Sequence, residues 1–140
     1  MRTQTVLGSF ALLQGVLAAP KLKSRQGRTC SIIATEKITI TNNPGNGSTQ
    51  PPTIWIYPSL SVHRDGEVIW SNTEDMPNSQ TISDIGLAND LEWTLDYGTP
   101  GYDKCRISFG NAEYESPGSW ESSGVSPRTE NSKCEITFEC

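Results

Sequence analysis

The sequence is poor in the residues from which most enzyme sites are built. It contains a single histidine, His63, which excludes any mechanism needing two imidazoles and any histidine-rich zinc site. Its four cysteines include no CxxC pair, so zinc and thioredoxin-like redox readings fail. Asp84, Asp90, Asp96 and Asp103 are scattered without the spacing of a calcium loop. Neither a metal nor a cofactor is expected. Basic side chains are scarce as well, 11 Lys and Arg against 16 Asp and Glu. Nucleic-acid affinity is largely counterion release by such cations, so RNA binding is expected to be weak or absent. The apolar run near the N-terminus is too short to span a bilayer, and no membrane association is expected.

That run is informative in another way. Arg2, an apolar stretch from Val6 to Leu17 and the small pair Ala18-Ala19 have the layout of a secretory signal peptide. We read residues 1–18 as the signal, residues 19–25 as a leader processed after Leu22-Lys-Ser-Arg25, and residues 26–140 as one secreted domain. The formal charge of -5 then averages over parts that separate. Losing Arg2, Lys21, Lys23 and Arg25 leaves 7 basic and 16 acidic residues, so the mature domain stands near -9. Asn46-Gly-Ser48 is a glycosylation sequon in a Gly/Pro/Asn-rich stretch, as suits a surface loop.

Periodicity points to strands. Ile38 and Ile40 alternate with Thr39 and Thr41; Leu91, Trp93 and Leu95 alternate with Glu92, Thr94 and Asp96; Cys105, Ile107 and Phe109 alternate with Arg106 and Ser108. Cys134, Ile136, Phe138 and Cys140 repeat the pattern. Arg64-Asp-Gly66 marks a turn before a short strand, and Ser116 to Asn131 reads as a long loop carrying Trp120. The segment Thr53 to Val62 is ambiguous. Pro51 or Pro52 in a first turn would let Ile54, Tyr57 and Leu60 share a helical stripe, while Pro58 inside that helix costs about 3 kcal/mol. A short kinked helix and an edge strand both fit. The expected fold is a small α+β domain, a disulfide-stapled antiparallel sheet with one short helix; the alternative is an all-β sandwich or barrel.

An exported chain with four cysteines is expected to hold two disulfides. Cys134 and Cys140 lie six residues apart on one strand face, about 20 Å at roughly 3.3 Å per residue, whereas a bridge needs Cα atoms about 4.4–6.8 Å apart. Of the three connectivities, Cys30 with Cys140 and Cys105 with Cys134 is preferred. The first closes a loop of roughly 110 residues, which chain entropy values at about 4–5 kcal/mol.

Glu92 and Arg106 fall on the polar faces of their strands. A carboxylate can take a proton from a ribose 2'-hydroxyl and a guanidinium can stabilise phosphoryl charge. The simpler reading of such residues is a solvated cross-strand pair. His63-Arg-Asp-Gly-Glu67, Ser71-Asn72, Glu92-Trp-Thr-Leu95, Thr99-Pro-Gly101 with Asp103, Arg106-Ile-Ser-Phe109 and Phe138-Glu-Cys140 form a collinear series. It resembles the small secreted fungal guanyl-specific ribonucleases, the related ribotoxins and the ribonuclease-like effectors of plant-pathogenic fungi. The resemblance covers roughly residues 60–140. It implies Glu92 as general base and Arg106 as phosphate contact, and a bridge from first to last cysteine is similar to that family's. The spacing from Glu92 to Arg106 is shorter than in that family. Its two catalytic histidines have no counterpart, and His63 falls on a non-catalytic position near a turn.

A scaffold without its general acid loses on the order of 10²–10⁴-fold in rate. Glu92, Arg106 and His63 are therefore vestigial candidates, and the chain is not expected to be an enzyme. The reading that follows is a secreted, monomeric effector or elicitor, with entry into host cells open. It would bind a host or cell-surface macromolecule. The alternatives are a residual guanyl-preferring ribonuclease and a wall protein that stacks sugars on its tryptophans. Of those, Trp93 and Trp70 read as core, and Trp120 is the exposed candidate.

Overall fold

The computed structural model describes residues 27–42, 51–74 and 76–140. The signal peptide, the whole leader and the Asn46 sequon lie outside the described residues. The described chain is all β: β1 (Thr29–Thr41), β2 (Thr53–Arg64), β3 (Glu67–Asn72), β4 (Ser79–Ile82), β5 (Leu91–Tyr97), β6 (Tyr102–Phe109), β7 (Ala112–Pro117), β8 (Ser119–Ser123) and β9 (Arg128–Glu139). They form two antiparallel sheets, one in the order β3-β2-β1-β9-β8 and the other β4-β5-β6-β7. The expected α+β class is thus corrected to the all-β alternative.

The correction falls on β2. Its residues pair one by one with β1, from Thr53↔Thr41 to Cys30↔Arg64. The helical stripe is not buried: Leu60 is, while Ile54 and Tyr57 are exposed. Proline decides between the two conformations. In a helix Pro58 would forfeit a backbone bond and clash with the preceding turn. In β2 it forfeits nothing toward β1. The Asp65 amide donates to the Thr29 carbonyl at 2.9 Å, which continues the β1–β2 register, so odd-numbered β2 residues aim their backbone groups at β1 and even-numbered ones aim away. The Pro58 nitrogen therefore faces the open side, where a strand tolerates it.

Ser116 to Asn131 is likewise not one loop. Ser119–Ser123 pairs with Thr129–Lys133. Between β2 and β3, Arg64↔Glu67 closes on Asp65 and Gly66 at φ 52° and 88°. Two left-handed residues in a two-residue loop are what the twist of a hairpin requires.

Alternation along the strands builds the core between the sheets. Ile32, Ala34, Leu60, Val62, Ile136 and Phe138 come from one sheet, and Leu91, Trp93, Leu95, Ile107 and Phe109 from the other. Cys105 and Cys134 face inward from β6 and β9 and bond across the sandwich, Cα to Cα 6.2 Å. Cys30 bonds Cys140 with Cα atoms 5.8 Å apart. The sheets are unequal in length. The central strands of the first run 12 or 13 residues, those of the second 7 or 8. On the inner face, the row Pro58–Glu36–Ser132–Trp120 is the last one covered, by the β5–β6 turn. A Cβ on Gly101 in that turn would stand 2.6 Å from Trp120 and 2.7 Å from Ser132. Beyond it, Ile38, Ile40, Ile54 and Ile56 share one uncovered face.

Candidate functional site

The outer face of the shorter sheet carries the residues singled out for phosphodiester chemistry. Register fixes three rows: Thr81–Glu92–Ser108–Glu113, then Ser79–Thr94–Arg106–Glu115, then Asp96–Lys104–Pro117. Glu92 and Arg106 are diagonal neighbours on this face, about 7–8 Å apart by sheet geometry. An open concavity around Arg106 is lined by Thr94, Ser108, Glu113, Tyr114 and Glu115.

The chemistry needed for cleavage does not assemble there. One Arg106 terminal nitrogen donates to both carboxylate oxygens of Asp96, at 3.2 and 3.3 Å, and the Lys104 ammonium lies 3.3 Å from Glu115. Both cations of the face are thereby engaged. Glu92 and Glu113 take part in no ion pair among the described residues. With Asp96 and Glu115 they make four carboxylates against two cations, so the face repels a phosphate backbone. His63 is elsewhere. It lies on the outer face of the longer sheet, opposite Ser31 and Val68, with Nε2 2.9 Å from the Ser61 hydroxyl. The whole sandwich, with sheets typically about 10 Å apart, stands between His63 and Glu92. No cluster of three or more metal-ligating side chains occurs among the described residues.

Asp96, Lys104, Glu113 and Glu115 were not singled out by sequence reasoning. The signal was available for Asp96, which shares the polar face of Glu92 four residues on. Of the tryptophans, Trp93 is buried, Trp70 is half-buried against the core and Trp120 is exposed. Trp55, on the outer face of β2 with Tyr57, is the most exposed of the four.

A polar group at the sandwich boundary also bears on the electrostatics. Partial burial raises the Glu36 carboxyl above its usual 4.5. Burial, and then the nearby Glu36 charge, push the Tyr102 phenol up strongly. The Tyr102 ring packs edge-on to Tyr97, centroids 5.4 Å apart. Glu36 thus sits where the β5–β6 end of the short sheet closes over the long one. Comparisons with protein-family models, with curated proteins and with solved structures give no match.

Proposed function

We propose that this is a secreted effector or elicitor that acts by binding a host or cell-surface macromolecule, without catalysis. The observation that carries the reading is the dispersal of the candidate groups among the described residues: Arg106 is held by Asp96, Glu92 takes part in no ion pair, and His63 lies on the opposite outer face. A general acid and a general base must both reach one substrate, and this arrangement offers no such pair. Two disulfides in a small domain are compatible with an extracellular protein. The acidic mature domain adds a reason to set RNA aside. The test is a titration of labelled, disulfide-intact mature protein onto intact plant cells and isolated walls. Saturable uptake competed by unlabelled protein is expected; linear, uncompeted association at every concentration contradicts the reading.

One observation favours a second reading, a sugar-binding wall protein. Trp55 and Tyr57 stand two residues apart on one exposed strand face, a flat apolar surface of the kind on which sugar rings stack. Retention on chitin or glucan beads that disappears in Trp55→Ala would establish it, and equal retention of that variant would dismiss it.

A further inference from the structure

The open edge of β2 carries an inference that stands apart from the question of catalysis. Strand β3 covers β2 only from Leu60 to Arg64. Among the described residues, no strand pairs with the other side of Ile54–Ser59. Within that stretch Ile54, Trp55, Ile56 and Tyr57 are 55%, 56%, 56% and 56% exposed. Long apolar edges of this kind are templates for pairing, and proteins normally blunt them with charge or cover. From Thr53 to Ser59 there is no charged residue.

The spacing of prolines selects the occupant. Even-numbered β2 residues aim their backbone groups at the open side, as the Asp65 to Thr29 bond establishes. The open edge therefore offers the amides and carbonyls of Ile54 and Ile56. It is bracketed by Pro52 and Pro58, which offer no amide. The two prolines are equidistant from Trp55. An antiparallel copy of the same segment, turned about a two-fold axis through Trp55, sets Ile54 opposite the copy's Ile56, where the two residues exchange both backbone bonds. Pro52 then meets the copy's Pro58, so the ladder stops at both ends and the pairing closes at two copies. Trp55 meets its own copy at a position without backbone bonds, where opposing side chains lie nearest and aromatic pairs gain most. An unrelated peptide strand would have no reason to match prolines at both ends.

With exposures of 55–56%, the four side chains leave on the order of 500 Å² uncovered per copy, at whole-residue areas of roughly 200–250 Å². Edge pairing covers the flanks of these side chains and leaves their outward faces open, so the contact stays below the roughly 1,000 Å² of a standard interface and is of the weak, concentration-dependent kind. We propose that the mature protein forms a two-fold dimer by antiparallel pairing of the β2 edges centred on Trp55, joining the two five-stranded sheets into one. The sequence by itself suggested a monomer. The dimer places Trp55 and Tyr57 of both copies on one outer face and presents each short sheet twice, as a bivalent binder would.

The experiment is sedimentation equilibrium of the disulfide-intact mature protein across a concentration series at physiological salt. The wild type is expected to rise with concentration toward twice the protomer mass. Ile56→Pro removes one open-side amide without touching the β1 ladder, so it should remain at the protomer mass with a Tm near that of the wild type. Trp55→Lys, which sets two ammonium groups together on the axis, should do the same and serves if the proline variant fails to fold. A wild type at protomer mass throughout, or dimers of both variants with undiminished affinity, overturns the proposal. Assembly beyond two copies also overturns it, since the prolines would then not be terminating the ladder.

Discussion

Removing the bond between the sheets should expose how much of this small domain's stability is covalent. In Cys105→Ala/Cys134→Ala, a cross-link closing 29 residues is lost, and chain entropy puts that at about 3.5 kcal/mol. Both half-cystines are essentially fully buried, at 0% and 1% exposure, so alanine leaves two sulfur-sized voids and adds about 1 kcal/mol. The sum of about 4–5 kcal/mol compares with a typical total of about 5–15 kcal/mol. For a domain of about 115 residues each kcal/mol moves Tm by about 4 °C, so the midpoint should fall by about 15–20 °C. Calorimetry at neutral pH measures it, and urea titration should show a larger m-value because the unfolded chain opens further. A fall of less than about 5 °C with an unchanged m-value would refute the reasoning. In that case noncovalent packing between Trp93, Leu95, Ile107 and Ile136 would be sufficient to hold the sheets.

Other expectations are narrower. Glu36→Gln should raise Tm at neutral pH, because burial raises the Glu36 carboxyl in the folded protein and its ionised form therefore opposes folding. The gain is largest above the raised value and vanishes below the ordinary 4.5, where the acid is protonated in both states; a Tm difference that grows on acidification contradicts this. Gly101→Ala should cost about 1–3 kcal/mol, since its φ is 77° and the added carbon meets Trp120 and Ser132; an unchanged urea midpoint would show that the β5–β6 turn does not close the sandwich there. Arg106→Ala should change stability by less than about 1 kcal/mol in the same titration, because Arg106 and Asp96 are substantially exposed; a larger loss would mean that the pair organises the face.

The strands that were legible in the sequence are those with one wet and one dry face. Leu91-Trp93-Leu95, Cys105-Ile107-Phe109 and Cys134-Ile136-Phe138 each put a buried residue at every second position, and the Asp65-Gly66 turn carries its own chemistry. The illegible ones lack that contrast. β8 is exposed along its whole length, so Ser119–Ser123 offers no period at all. The outer half of β2 is apolar on both faces, and Ile54-Trp-Ile-Tyr57 fits a helical stripe as readily as a strand until the pairing with β1 is known. The site was legible to the same extent. Strand parity put Glu92 and Arg106 on polar faces, but parity says nothing about which strands are neighbours. The Asp96 partner of Arg106, the Lys104–Glu115 pair and the separation of His63 follow from sheet order, which is a long-range property. Trp55 was passed over because it lies on the outer face of a strand whose neighbours on both faces are apolar, so no alternation marks it as exposed.

RNA turnover tests the central claim most directly, and the comparison needed is between the disulfide-intact wild type and Glu92→Gln on a guanine-rich RNA substrate. Binding without catalysis predicts no turnover that distinguishes the two proteins at any pH. Robust cleavage by the wild type that Glu92→Gln abolishes would contradict it, and would mean that Glu92 works with a proton donor other than His63.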